Sequence, residues 1–259
     1  MSEFINRYKY LTVIVIGLLI LGFYITKETV ASYEEGEVSN GGAITGTVTF
    51  AGDVPGVKML VVDKDQEGCG HSSVHSEVLL VSADKAIKNV VISIAGISKG
   101  KKFDRSGGNP TIDQKRCIFI PHVTVVPPKS TVDILNSDEI MHNIHTWSIR
   151  NTAFNESAAG GGNLPKVFKY PETIKITCDV HKWMTAWLIV QDNPYYAMTD
   201  ADGKFQIGDI PPGTYIVQAW QESLGQTTKK ITVKAGETAK VDFEMTAKKK
   251  RNRRAKKEK

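Results

Sequence analysis

The stretch from residue 141 to residue 184 constrains this chain most. It opens on Met141-His142-Asn143-Ile144-His145 and closes on Cys178-Asp179-Val180-His181-Lys182-Trp183-Met184. Ile174, Ile176 and Cys178 alternate with Lys175 and Thr177, so an extended strand turns the Cys178 thiol to its apolar side. Cys178, His181 and Met184 then stand three apart, which lets one tight loop bring all three to a point before the next apolar run, residues 186–190. In the first segment, period-2 geometry puts His142 and Ile144 on one face and Asn143 and His145 on the other, so only one of the two histidines joins that point. His142 is the better choice, because its face continues with Ile144. Asn143 is then placed for a hydrogen bond toward the thiolate. Two imidazoles, a thiolate and a thioether hold copper in either oxidation state and suit single-electron transfer.

These segments resemble the small blue-copper proteins, the cupredoxins, most closely the amicyanin type with its His-Asn-x-His segment and short Cys-x-x-His-x-x-Met loop. The resemblance covers residues 111–192 and implies a Greek-key β-sandwich holding one type 1 copper through His142, Cys178, His181 and Met184. It also implies electron exchange with a redox protein such as a c-type cytochrome or an oxidoreductase. The prolines often found in such loops are absent here, where Asp179, Val180, Lys182 and Trp183 stand. Trp183, Trp187, Met141 and Pro165 would make an apolar docking rim, with the outer edge of His181 as the electron exit.

A second resemblance lies at the carboxyl end. Residues 196–205, with Asp200-Ala201-Asp202-Gly203, and residues 210–217, with Pro211-Pro212-Gly213, carry strand and turn chemistry. They resemble the carboxypeptidase regulatory-like domain, a small transthyretin-like sandwich related to starch-binding domains. That family's opening Gly-x-Val strand is similar to Gly46-Thr47-Val48. Sequence leaves open whether the copper sandwich is inserted into this one or stands in tandem with it. Asp200 and Asp202 lack the further acids of a calcium loop and read as a turn.

The expected fold is therefore all-β: a cupredoxin sandwich plus a small transthyretin-like sandwich, with one N-terminal transmembrane helix. That helix is read from residues 10–26, a run without charge, preceded by Arg7 and Lys9 and followed by Glu28, Glu34, Glu35 and Glu37. The charge asymmetry puts the rest of the chain on the periplasmic or extracytoplasmic face, on a single-pass anchor with the C-terminus outside. The expected organisation is anchor or signal 1–30, tether 31–42, amino-terminal strands 43–110, copper region 111–192, regulatory-like sandwich 193–247 and basic tail 248–259.

The net charge of +5 comes from that tail. Residues 248–259 hold nine basic side chains and one acidic, a net of +8, so residues 1–247 carry −3. A mildly acidic body without a basic, aromatic-laced stripe excludes nucleic acid as its partner. With Cys178 assigned to copper, Cys69 and Cys117 remain for one disulfide, in keeping with an oxidising compartment. The alternative is a second metal site from Cys69, His71 and His75 with His122. No nucleophile-elbow or metalloprotease motif is present, so the chain does not read as an enzyme. Two other functions stay open: a periplasmic copper carrier, and a metal-free interaction or carbohydrate-binding module.

Overall fold

The computed structural model describes residues 33–247. Two apolar cores organise them. One gathers Ile44, Val48, Ile92, Ile94, Tyr195, Val217 and Phe243, drawn from both ends of the described chain. The other gathers Ile112, Phe119, Ile134, Ile144, Ile174, Ile176 and Leu188, all from the middle.

The first core sits between two four-stranded sheets. In one, Gly42–Phe50 pairs antiparallel with Lys204–Ile210 and parallel with both Thr238–Lys240 and Phe243–Met245. In the other, Val91–Ala95 lies between Tyr196–Met198 and Gly213–Gln221, and Gly225–Val233 closes the edge. Gly42–Phe50 and Val91–Ala95 thus find their strand partners only from residue 196 on, and the middle sandwich is inserted between them. Gly46 lies where Val241 crosses the first strand; a Cβ there would stand 1.8 Å from the Val241 carbonyl oxygen. The residue of the Gly-x-Val motif is glycine because a backbone oxygen occupies the space of its side chain.

The inserted sandwich has a four-stranded sheet, Ile118–Ile120, Thr111–Lys115, Ser130–Asn136 and Asn163–Phe168. Its five-stranded sheet runs Val123–Val126, Thr185–Val190, Glu172–Thr177, His142–Trp147 and Asn155–Ala158. A single strand over residues 118–126 is the natural reading of that apolar run. It is instead split at Pro121-His122, and its halves join opposite sheets. Proline has no N–H for a ladder, so the break falls there. Pro165 is tolerated because Asn163–Phe168 is an edge strand.

The sandwiches meet at a small apolar cluster of Val91, Val123 and Ile189, flanked by Trp187 and Trp220. Beside it the Glu222 carboxylate accepts from Trp187 Nε1 at 2.7 Å and pairs with His122 Nε2. Trp187 is therefore part of the junction and not of a docking rim.

Among the described residues no helix is long and apolar enough to cross a membrane. The one described helix, Gln66–Cys69, has four residues, about 6 Å of rise against a hydrocarbon core of about 30 Å. The transmembrane helix in the expected fold class is corrected accordingly: the fold of the described residues is all-β, and a single-pass anchor, with the periplasmic or extracytoplasmic location read from it, is not supported. Residues 10–26 and the basic run 248–259 lie outside the described residues.

Candidate metal centre

The strand Glu172–Thr177 buries Ile174 and Ile176, and the alternation continues into Cys178, which is buried as expected from the pattern. The loop after it closes on itself: Met184 N–H donates to the His181 carbonyl at 2.9 Å, and Cys178 N–H reaches the Met184 carbonyl at 3.3 Å. His181 N–H points back to Cys178 Sγ at 3.4 Å. Met184 is buried in the same apolar cluster as Cys178.

His142 opens the neighbouring strand His142–Trp147 and is fully buried. His145 lies away from it, half-buried, with Nδ1 at 3.2 Å from both Asp179 oxygens and its ring stacked on Trp147 at 4.3 Å. The structure thus brings His142, Cys178 and His181 together, with ligand atoms all within 4.8 Å of one another.

Each imidazole gives one nitrogen to a carboxylate. His142 Nε2 is 2.9 Å from Asp138 Oδ2, and His181 Nε2 is 3.0 Å from Asp65 Oδ2. Asp138 also accepts the backbone N–H groups of Arg116 and Cys117. With both oxygens facing N–H donors, Asp138 acts as the acceptor and His142 Nε2 as the donor to it. Asp65 faces His181 Nε2 in the same way, as its one side-chain partner among the described residues. Burial pushes His142 below the ordinary histidine range, against the opposing pull of Asp138, so its ring stays neutral. The two Nδ1 atoms face each other at 2.8 Å, with Cys178 Sγ 3.8 Å from His181 Nδ1. A thiol and two imidazole nitrogens converging in a buried space are the donor set of a transition-metal cation, and carboxylate-anchored histidines are its usual support.

Asn143 sits beside the thiol in a different sense from the one expected. Its Oδ1 accepts from Asp179 N–H at 2.6 Å and Val180 N–H at 3.3 Å, which fixes the amide orientation. The same oxygen faces Cys178 Sγ at 3.2 Å, so the thiol donates to Asn143 and not the reverse. Asn143 locks the loop that follows Cys178 to the strand His142–Trp147.

Cys69 and Cys117 form a disulfide. That removes Cys69 from any second metal site, and His71 Nε2 is taken by the Arg116 carbonyl at 2.8 Å. His122 is engaged with Glu222. Sequence reasoning missed Asp138 and Asp65. Asp138 carries a weak signal, an acid four residues before the first histidine; Asp65 stands 116 residues from His181 and carries none. The outer edge of His181, expected at the surface, is instead fully buried beneath residues 62–75.

The carboxypeptidase regulatory-like domain model matches residues 188–246. Among solved structures, the chain is similar to a purple cupredoxin from Nitrosopumilus maritimus, at 21% identity over 32% of this chain and 100% of that one, TM-score 0.29. It is similar to amicyanin from Paracoccus versutus, at 16% identity over 34% and 86% of the two chains, TM-score 0.30. It is also similar to a copper-containing nitrite reductase from Thermus scotoductus, at 19% identity over 32% of this chain, TM-score 0.30; the match spans only 22% of that protein. No curated protein matches the sequence. Both resemblances read in the sequence are met by these findings. At such TM-scores the likenesses carry no argument about the site, whose reading rests on its own side chains.

Proposed function

We propose that the inserted sandwich is a mononuclear copper protein that carries single electrons to or from a redox partner, such as a c-type cytochrome or an oxidoreductase. The observation that supports this most is the pair of facing Nδ1 atoms, 2.8 Å apart, beside the only free cysteine among the described residues. His142, Cys178 and His181 would hold the ion, with Met184 from the same loop as a weaker fourth donor. Copper bound there supplies a one-electron couple, because thiolate and thioether favour the reduced ion while imidazole suits the oxidised one.

The chain's own residues do the rest. Asp138 and Asp65 keep both rings in the tautomer that points Nδ1 inward. Asn143 fixes the backbone at the start of the ligand loop, so the donors keep their places in either state. The apolar packing around Cys178 and Met184 excludes water. A carrier that hands copper on favours an accessible ligand; here His142, Cys178, His181 and Met184 are each at most 1% exposed. That burial favours retention, and so electron transfer.

The test is the visible spectrum of the copper(II)-loaded protein beside Cys178→Ser. The expected result is an intense thiolate-to-copper band at one copper per chain, abolished by the substitution, and reversible one-electron reduction. A colourless protein, or equal copper binding without Cys178, would overturn the reading.

A further inference from the structure

The residues that bury His181 belong to a separate excursion of the chain. Residues 52–59 run out exposed, Met59–Val61 pairs with Ser73–His75, and the helix Gln66–Cys69 lies between. Within residues 62–75 only Val62 and Cys69 are buried. Almost nothing apolar holds this segment down, yet it covers the centre.

Its attachments all converge on the ligands. Asp65 precedes the helix at the N-cap, where an aspartate ordinarily turns its carboxylate onto the first N–H groups. It makes no such bond. Its carboxylate goes to His181 Nε2, and its backbone takes φ 52°, a left-handed conformation uncommon for non-glycine residues. Cys69, at the end of the helix, is bonded to Cys117 in a two-residue hairpin turn. Both turn residues, Arg116 and Cys117, also have positive φ although such turns favour Asn-Gly. Their N–H groups are the ones Asp138 accepts while holding His142. Gly68 lies against Ile140, two residues before His142; a Cβ there would meet the Ile140 side chain at 2.5 Å. Trp183, beside His181, donates from Nε1 to the Cys117 carbonyl at 3.0 Å.

We infer that residues 62–75 are a latched cap over the metal centre, with Asp65 as the positioning residue for His181 and the Cys69–Cys117 bond as the latch. This rests on the copper reading for what the cap encloses, though not for its existence. The cap closes the side from which His181 would otherwise meet water, so it slows exchange of the metal and moves electron exit away from that edge. Releasing either attachment opens the centre by local motion without unfolding the sandwich.

The test uses the full chain, first without metal. Cys178 is alkylated by N-ethylmaleimide in wild type, Asp65→Ala and the Cys69→Ser/Cys117→Ser double variant, each with its urea midpoint measured. Asp65→Ala retains the disulfide, so it serves if the double variant does not fold. The cap predicts alkylation at least about tenfold faster in Asp65→Ala, with a near-wild-type urea midpoint. Nitrogen–hydrogen correlation spectra should place the His181 proton on Nε2 in wild type and divide it between the two nitrogens in Asp65→Ala. Loaded with copper(II), Asp65→Ala should lose the metal to EDTA about 10–100 times faster than wild type, the range expected for an outer partner of a ligand. Alkylation within twofold of wild type, with an unchanged His181 tautomer, overturns the cap. If wild type shows no thiolate-to-copper band, the copper reading fails, and the alkylation rates still decide the cap.

Discussion

His142 and His181 each turn Nε2 to an acid and Nδ1 to the other ring. Asp138 meets His142 from a position where both of its oxygens are engaged: Oδ1 takes the Arg116 N–H, and Oδ2 takes the Cys117 N–H and His142 Nε2–H. Replacing it by asparagine keeps the shape but turns an acceptor into an NH2 donor facing other donors. Either the hairpin turn or the histidine then loses its partner. Asp138→Asn should weaken copper binding by about 10–100-fold, measured by competition with a chelator of known affinity. An unchanged affinity would mean that His142 is held by packing alone. Asp179, one residue beyond Cys178, is not equivalent to Asp138. Its hydrogen bond to His145 holds its carboxyl below the usual range, but both groups lie outside the converging donors.

At the scale of elements, the far end of the ligand strand is fastened by Glu172. Its carboxylate accepts the N–H groups of Ile149, Arg150 and Asn151, so one side chain closes the turn that follows His142–Trp147. Partial burial raises its pKa, but these bonds outweigh it and hold the carboxyl below the ordinary value. A carboxyl depressed in the folded state stabilises fully above its unfolded pKa, about 4.3, and loses that contribution as pH falls through the lower folded value. Glu172→Gln should lower the urea midpoint at pH 7, and the gap to wild type should close as pH drops below about 4. A gap that stays constant into strong acid would show that the turn does not depend on the charge. The same elements show what a sequence can disclose. Cys178 was legible because Ile174 and Ile176 set a period that reaches it, and His142 because Ile144 shares its face. The split at Pro121 was written in the proline but masked by an unbroken apolar run on either side. Asp65 was not legible at all. Its partner is fixed by the folding back of a polar segment, and neither period nor motif records a contact across more than a hundred residues.

For the whole molecule, insertion has a thermodynamic consequence. The two cores share no residue, and the contact between the sandwiches is a cluster of three buried side chains with the Trp187–Glu222–His122 group beside it. So small a junction couples the two bodies weakly, and each unfolds on its own core's terms. A ligand that binds only the native state of one body stabilises that body by RT ln(1 + [L]/Kd), about 2.7 kcal/mol at a hundredfold excess over Kd. For a domain of this size that is a shift of several degrees in its midpoint. All the converging donors lie in the inserted sandwich or its cap, and none in the sandwich built from Gly42–Phe50 and residues 196–245. Calorimetry of the full chain should therefore show two transitions, of which copper raises one and leaves the other in place. Stripping the metal with EDTA should return the first to its starting midpoint. A single transition that moves as a whole would mean that the junction, small as it is, fuses the two cores into one cooperative unit, and that Trp187, Glu222 and His122 couple the metal-bearing body to its host.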